Sequence, residues 1–116
     1  MKLEERPGRA WLEISLENLR WNYKKLCGLM PAGCKCMAVV KADAYGHGAV
    51  QTAQVLAEEG CDTFAVASLE EGMELRGAGV QGKILVLGYT MPRDAFLLER
   101  YQLMQTVVDE AHGAAL

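Results

Sequence analysis

Residues 63–87 read TFAVASLEEGMELRGAGVQGKILVL. Thr63 to Ala67 is a short apolar run without alternation, the pattern of a strand buried on both faces. Ser68 and Glu71 then supply S-x-x-E, a capping box that opens a helix. Leu69, Met73 and Arg76 ride on that helix, and Gly77 or Gly79 closes it. Ile84 to Leu87 is a second apolar run of strand length. Strand, helix and strand in this order make a parallel βαβ unit.

The same rhythm extends outward in both directions. Upstream, Cys36 to Val40 (CMAVV) is another unalternating run, expected to be buried on both faces as in a parallel sheet. A turn, Asp-Ala-Tyr-Gly-His-Gly, leads into AVQTAQVLAEEG, where Val50, Ala53, Leu56 and Ala57 form an apolar stripe and Gly60 suits the C′ position. Further upstream, Trp11 to Ser15 (WLEIS) alternates and predicts a short strand with one buried face. Ser15 offers an N-cap, and Leu16, Leu19, Tyr23, Leu26 and Met30 follow at helical spacing until Pro31 and Gly33. Downstream, Pro92 starts a short helix holding Phe96 and Leu97. Leu103 to Val108 is a fourth strand, and Asp109 begins a helix that the chain does not finish. Two closures fit: an open doubly wound sheet or a (β/α)8 barrel. Four strands amount to half a barrel, so the chain is expected to be the N-terminal piece of a longer protein.

The chain has 116 residues and a net charge of −3. Lys and Arg are scattered among Asp and Glu, so there is no footprint for nucleic acid. No apolar run approaches the roughly 20 residues of a membrane helix. The opening MKLEERPGRAW carries both charges and no apolar h-region, which argues against a signal peptide and for the cytoplasm. Reduced thiols are then expected at Cys27, Cys34, Cys36 and Cys61. Cys34, Cys36 and His47 have none of the usual zinc spacings, so no metal is expected.

Lys41 follows the CMAVV run directly, at the carboxyl end of a parallel strand, where α/β proteins bind ligands. Burial and nearby cations would lower its pKa and free the amine to attack a carbonyl. Pyridoxal phosphate is the carbonyl cofactor most often held this way. Gly46 and Gly48 allow close approach of backbone to a phosphate ester. The helix starting near Gly48 would offer free N–H groups, and Tyr45 a phenolic donor. Asp43 can cap the following turn or anchor Lys41. On these residues alone, a lysine after a strand is more often a solvated surface group, Gly-His-Gly a tight turn, and His47 a turn or core residue.

AVVKADAYGHG, residues 38–48, resembles without a gap the pyridoxal-phosphate attachment segment of the alanine racemase family. RAWLEISLENLRWNYKKL resembles that family's opening, and residues 64–88 its second and third βα units. The resemblance runs from about Arg9 to Val108. It implies a fold-type III enzyme: a (β/α)8 barrel, then a mostly β domain absent from this chain, assembled as a homodimer. Residues 1–34 would be the leading strand and helix and residues 35–116 the first βα units of the barrel. It implies that Lys41 forms the internal aldimine and is one of two bases for racemising alanine, supplying D-alanine for peptidoglycan. Tyr45 would contact the cofactor phosphate and Leu87 lie beside its ring. The second base would come from a partner's C-terminal domain, so the fragment alone is expected to be inactive. A serine or broad-specificity racemase shares the lysine motif. A non-catalytic pyridoxal-phosphate-binding barrel and a decarboxylase of this fold type fit it less well.

Overall fold

The computed structural model describes residues 8–116; most of the charged opening segment, MKLEERP, lies outside the described residues. The elements follow in the order α1 (Leu16–Gly28), β1 (Ala38–Val39), α2 (Lys41–Tyr45), α3 (Ala49–Glu58), β2 (Thr63–Val66), α4 (Leu69–Gly77), β3 (Lys83–Val86), a 3-10 turn (Pro92–Asp94), α5 (Ala95–Arg100), β4 (Met104–Gln105) and α6 (Glu110–Ala115). The four strands form one parallel sheet in the order β1-β2-β3-β4. That order never reverses, so the sheet has no switch point of the doubly wound kind. Residues of α3, α4 and α5 share one core with the sheet face that carries Phe64, Val66, Ile84 and Val86, as crossovers of the usual right hand require. This is the first half of a (β/α)8 barrel.

The register shows where the core lies. Ala38, Phe64 and Ile84 stand side by side, as do Val66, Val86 and Gln105. Phe64, Val66, Ile84 and Val86 are fully buried beneath the helices, with Val40, Leu56 and Leu75. Alternation sends Val39, Ala65, Leu85 and Met104 to the opposite face. There Val39 and Met104 are exposed. The expectation of burial on both faces therefore holds for β2 but not for β1. Each of the outer strands, β1 and β4, has a single sheet neighbour, and only two residues of each meet ladder geometry.

Three helix ends repeat one device. After α3, Gly60 N–H bonds to Ala57 O and Cys61 N–H to Leu56 O. After α4 the bonds are Gly79 to Arg76 and Val80 to Leu75, and after α5 Gln102 to Glu99 and Leu103 to Leu98. Each is a Schellman closure, and each brings a buried pair together: Cys61 with Leu56, Val80 with Leu75, Leu103 with Leu98. Arg76 locks two of these loops by donating to Val80 O, Gly82 O, Tyr101 O and Gln102 O. The left-handed position is glycine in the first two and Gln102, at φ 51°, in the third. A Cβ is disfavoured there. Gln102→Gly is expected to raise stability by about 0.5–1 kcal/mol, read as a higher urea midpoint at unchanged slope.

Two expectations fail at the start of the chain. Trp11–Ser15 is not a strand: no described strand pairs with it, and Trp11 and Leu12 face solvent. Unpaired backbone groups gain nothing from an extended ladder geometry, so alternation alone does not make a strand. Helix α1 forms as expected, with Ser15 Oγ accepting from Asn18 N–H at 3.1 Å. Yet only Leu19 and Tyr23 of its stripe reach the core, and Leu26 stays exposed. Charge does the rest. Arg20 bonds Glu58 and Glu59, and Lys24 bonds Glu59 at 3.0 Å, at the carboxyl end of α3 where cations also meet the helix dipole. Lys24, then Arg20, hold the Glu59 carboxyl below its usual range.

Candidate active site

Lys41 begins where β1 ends. Val40 N–H still bonds Ala65 O at 2.8 Å, continuing the ladder one residue past the strand. The next four residues turn the opposite way to an ordinary helix. Ala42, Asp43, Ala44 and Tyr45 all have φ between 51° and 55°. A left-handed turn of four non-glycine residues costs roughly 1–2 kcal/mol per residue and persists only where its surroundings dictate it.

Those surroundings are on both sides of the turn. Ala44 N–H bonds Val40 O at 2.9 Å, and Gly48 N–H bonds Asp43 O at 2.9 Å. The Asp43 carboxylate accepts from Ala49 N–H at 2.8 Å and so caps α3 from outside. His47 Nδ1–H donates to Ala44 O at 2.9 Å. From the next βα unit, Glu71 Oε2 accepts from Ala42 N–H at 3.1 Å. Ala44 is the turn's buried residue. Asp43→Ala is expected to cost about 1 kcal/mol through loss of the cap, with Asp43→Asn close to the parent; urea midpoints check both.

This arrangement corrects the reading of the turn as a phosphate cradle. The N–H groups of Gly46, His47 and Gly48 all bond to carbonyls within the turn, and that of Ala49 to the Asp43 carboxylate. The first N–H of α3 is therefore taken by the chain's own aspartate. Its glycines, at φ 89° and 92°, serve the turn itself. His47 is exposed and holds the turn rather than a ligand.

Among the described residues the Lys41 ammonium has no hydrogen-bond or ion-pair partner, and the side chain is half-buried. Asp43 thus caps and does not anchor it. Tyr45 shares the turn, is 63% exposed, and its hydroxyl makes no bond among the described residues. Leu87 extends β3 by one residue, with its N–H on Val66 O at 2.9 Å, and is exposed. Strand spacing puts the ends of β1 and β3 about 10 Å apart. The end of β2 between them carries the small Ala67. An amine and a phenol without partners among the described residues, and an exposed apolar side chain, are of the kinds that suit a flat carbonyl cofactor with an anionic tail. They leave most of the tail's ligands to residues outside this set.

Sequence reasoning missed two groups. Glu71 passed as a capping-box residue. Its N–H does bond Ser68 Oγ at 3.3 Å, but its carboxylate crosses to the Lys41 turn. The second is a polar cluster past β3 and β4. Gln105 Nε2 donates to Gly88 O and Thr106 O, while Thr90 Oγ1–H donates to Gln105 Oε1. His112, buried, donates Nε2–H to Thr90 O at 2.8 Å, accepts from Val108 N–H, and stacks on Tyr89. A glutamine inside an otherwise apolar strand was the available signal. No described helix is long and apolar enough to cross a membrane.

A family model described as "Alanine racemase, N-terminal domain" matches residues 14–116. A serine/alanine racemase of Enterococcus gallinarum is 46% identical over 108 residues, 93% of this chain and 16% of that protein. An alanine racemase of Carboxydothermus hydrogenoformans is 45% identical over 98 residues, 84% of this chain and 26% of its own length. Among solved structures, the alanine racemase from E. faecalis superposes with a TM-score of 0.84 at 40% identity, covering 88% of this chain and 28% of that one. The alanine racemase from Bacillus anthracis with bound L-Ala-P gives 0.85 at 34%, covering 92% and 28%. The chain thus spans between 16% and 28% of these relatives.

Proposed function

The chain belongs to the alanine racemase N-terminal domain family, and from that membership we propose that it is the lysine-bearing part of a pyridoxal-phosphate-dependent racemase interconverting L- and D-alanine. The product would serve peptidoglycan synthesis in the cytoplasm. Residues 1–34 lead into the barrel and residues 35–116 form its first βα units. The activity belongs to a protein of the relatives' length, working as a homodimer.

The observation that carries the reading is the uncommitted Lys41 amine at the carboxyl end of β1, on a turn fixed from both sides by Asp43 and Glu71. Bound there, the cofactor supplies an electron sink for the charge left when an α-proton departs. Lys41 would hold it and, once the substrate amine had displaced Nζ, would take or return that proton at Nζ on one face of the substrate. Racemisation needs a second acid/base on the other face. That group is proposed to come from the partner's C-terminal domain. Tyr45 would donate to the phosphate, and Leu87 would pack beside the ring. Fixing the turn in advance spares the amine a search for its geometry.

Incubation with pyridoxal phosphate, borohydride reduction and peptide mapping tests the assignment. Label on Lys41 is the expected result, and label spread over other lysines overturns it. A second reading, a racemase that also takes serine, is favoured by the serine/alanine racemase among the relatives. Assaying the full-length protein on both amino acids separates the two.

A further inference from the structure

The residues on either side of Lys41 are both tied to the next βα unit. Before it, Val40 N–H bonds Ala65 O on β2 at 2.8 Å. After it, Ala42 N–H bonds Glu71 Oε2, in the first turn of α4, at 3.1 Å. Glu71 is the one partner of that N–H among the described residues. The other hydrogen bonds that shape residues 42–45 all stay within residues 40–49. They set the form of the left-handed turn, and Glu71 ties it to its neighbour.

The glutamate is itself held in place. Ser68 caps α4 by accepting Glu71 N–H at 3.3 Å, so the side chain starts from a fixed point. In an S-x-x-E capping box the glutamate carboxylate returns to the N-cap N–H. Here it crosses instead to Ala42, 29 residues away in sequence. Glu71 is half-buried and lies where the helix dipole favours a carboxylate. At the other end of the bond, Ala42 has φ 51°, a conformation that an alanine leaves once nothing holds it there. Rotation at Ala42 would turn the peptide that joins it to Lys41.

We propose that Glu71 is a positioning residue for the Lys41 amine. By holding Ala42 N–H it fixes the main chain on the far side of Lys41, as Ala65 O fixes it on the near side, and so sets the direction in which the lysine side chain leaves the end of β1. It acts through the backbone, not on the cofactor or the substrate. The bond needs an acceptor oxygen at the reach of a glutamate and does not need its charge. The inference rests on the role proposed for Lys41, and adds that the second βα unit aims the lysine of the first.

The test compares Glu71→Ala, Glu71→Gln and Glu71→Asp in the full-length protein, with Glu70→Ala, the exposed neighbour in the same helical turn, as control. Without cofactor, Glu71→Ala should speed deuterium exchange at the Ala42 amide by about threefold to tenfold, the loss of one hydrogen bond, and leave the urea midpoint nearly unmoved. With pyridoxal phosphate and borohydride, Lys41 should be labelled about 10- to 10²-fold more slowly. On alanine, kcat should fall by a similar factor while KM stays within about twofold. Glu71→Gln keeps an oxygen at the same reach and should recover most of each loss. Glu71→Asp keeps the charge, falls short, and should lose as much as Glu71→Ala, so the Gln and Asp variants decide even where the Ala variant does not fold. Parental exchange at Ala42 in Glu71→Ala and Glu71→Asp, or parental labelling of Lys41 despite faster exchange, overturns the inference. So does Glu71→Gln falling as far as Glu71→Asp, or a loss of kcat that only follows the urea midpoint. No label on Lys41 of the unsubstituted protein is a different result: it sinks the lysine's own role, and this inference with it.

Discussion

Lys41→Ala in the full-length protein is expected to lower racemisation by about 10²–10⁴-fold or more, the range set by loss of one positioned acid/base. In the role proposed for Lys41 the cofactor would lose its covalent anchor in the same change, so the loss should fall on the rate more than on the apparent affinity for alanine. The surrounding turn makes the experiment clean. The backbone of residues 42–45 is held by Asp43, Glu71 and main-chain bonds, none of which uses the lysine side chain. Truncation should therefore leave the fold unchanged, seen as an unshifted urea midpoint. Added methylamine should return part of the rate, because a free amine can enter where the side chain was removed. A variant that keeps more than a tenth of parental activity would show that the amine does not act in the chemistry.

Much of this was readable in advance, for local reasons. The βα rhythm is written in apolar runs and caps, and Ser15, Ser68, Gly60 and Gly79 each act where their side chain, or its absence, is required. The position of Lys41 follows from the strand before it. What escaped is non-local or runs against propensity. Nothing in Ala-Asp-Ala-Tyr announces a left-handed turn, since no residue of the four favours it strongly; main-chain closure and Glu71, from the next repeat, impose it. The glycines then suggested a phosphate cradle because their freedom was visible and the Asp43 carboxylate already occupying the helix start was not. Trp11–Ser15 has the alternation of a strand without a partner among the described residues. Its failure and the short β1 and β4 share one cause: backbone pairing is decided by neighbours, not by the segment itself.

Phe64→Ala is expected to be the most damaging single core change, costing about 3–5 kcal/mol. Phe64 is fully buried at the centre of the sheet, between Ala38 and Ile84 in register. Both neighbouring strands and the helices above them lose contacts to the space it leaves. The small Ala38 beside it cannot fill the gap. A domain of this size rarely holds more than about 5–15 kcal/mol in all. At about 4–8 °C per kcal/mol the melting point would drop by tens of degrees. Met104 is the matched control. It lies on β4 on the opposite face and is 44% exposed. Met104→Ala should stay within about 0.5 kcal/mol of the parent, as surface changes do. The contrast tests which face of the sheet carries the stability. Equal losses at the two positions, measured as urea midpoints on the chain, would mean that the helix-covered layer is not the dominant core.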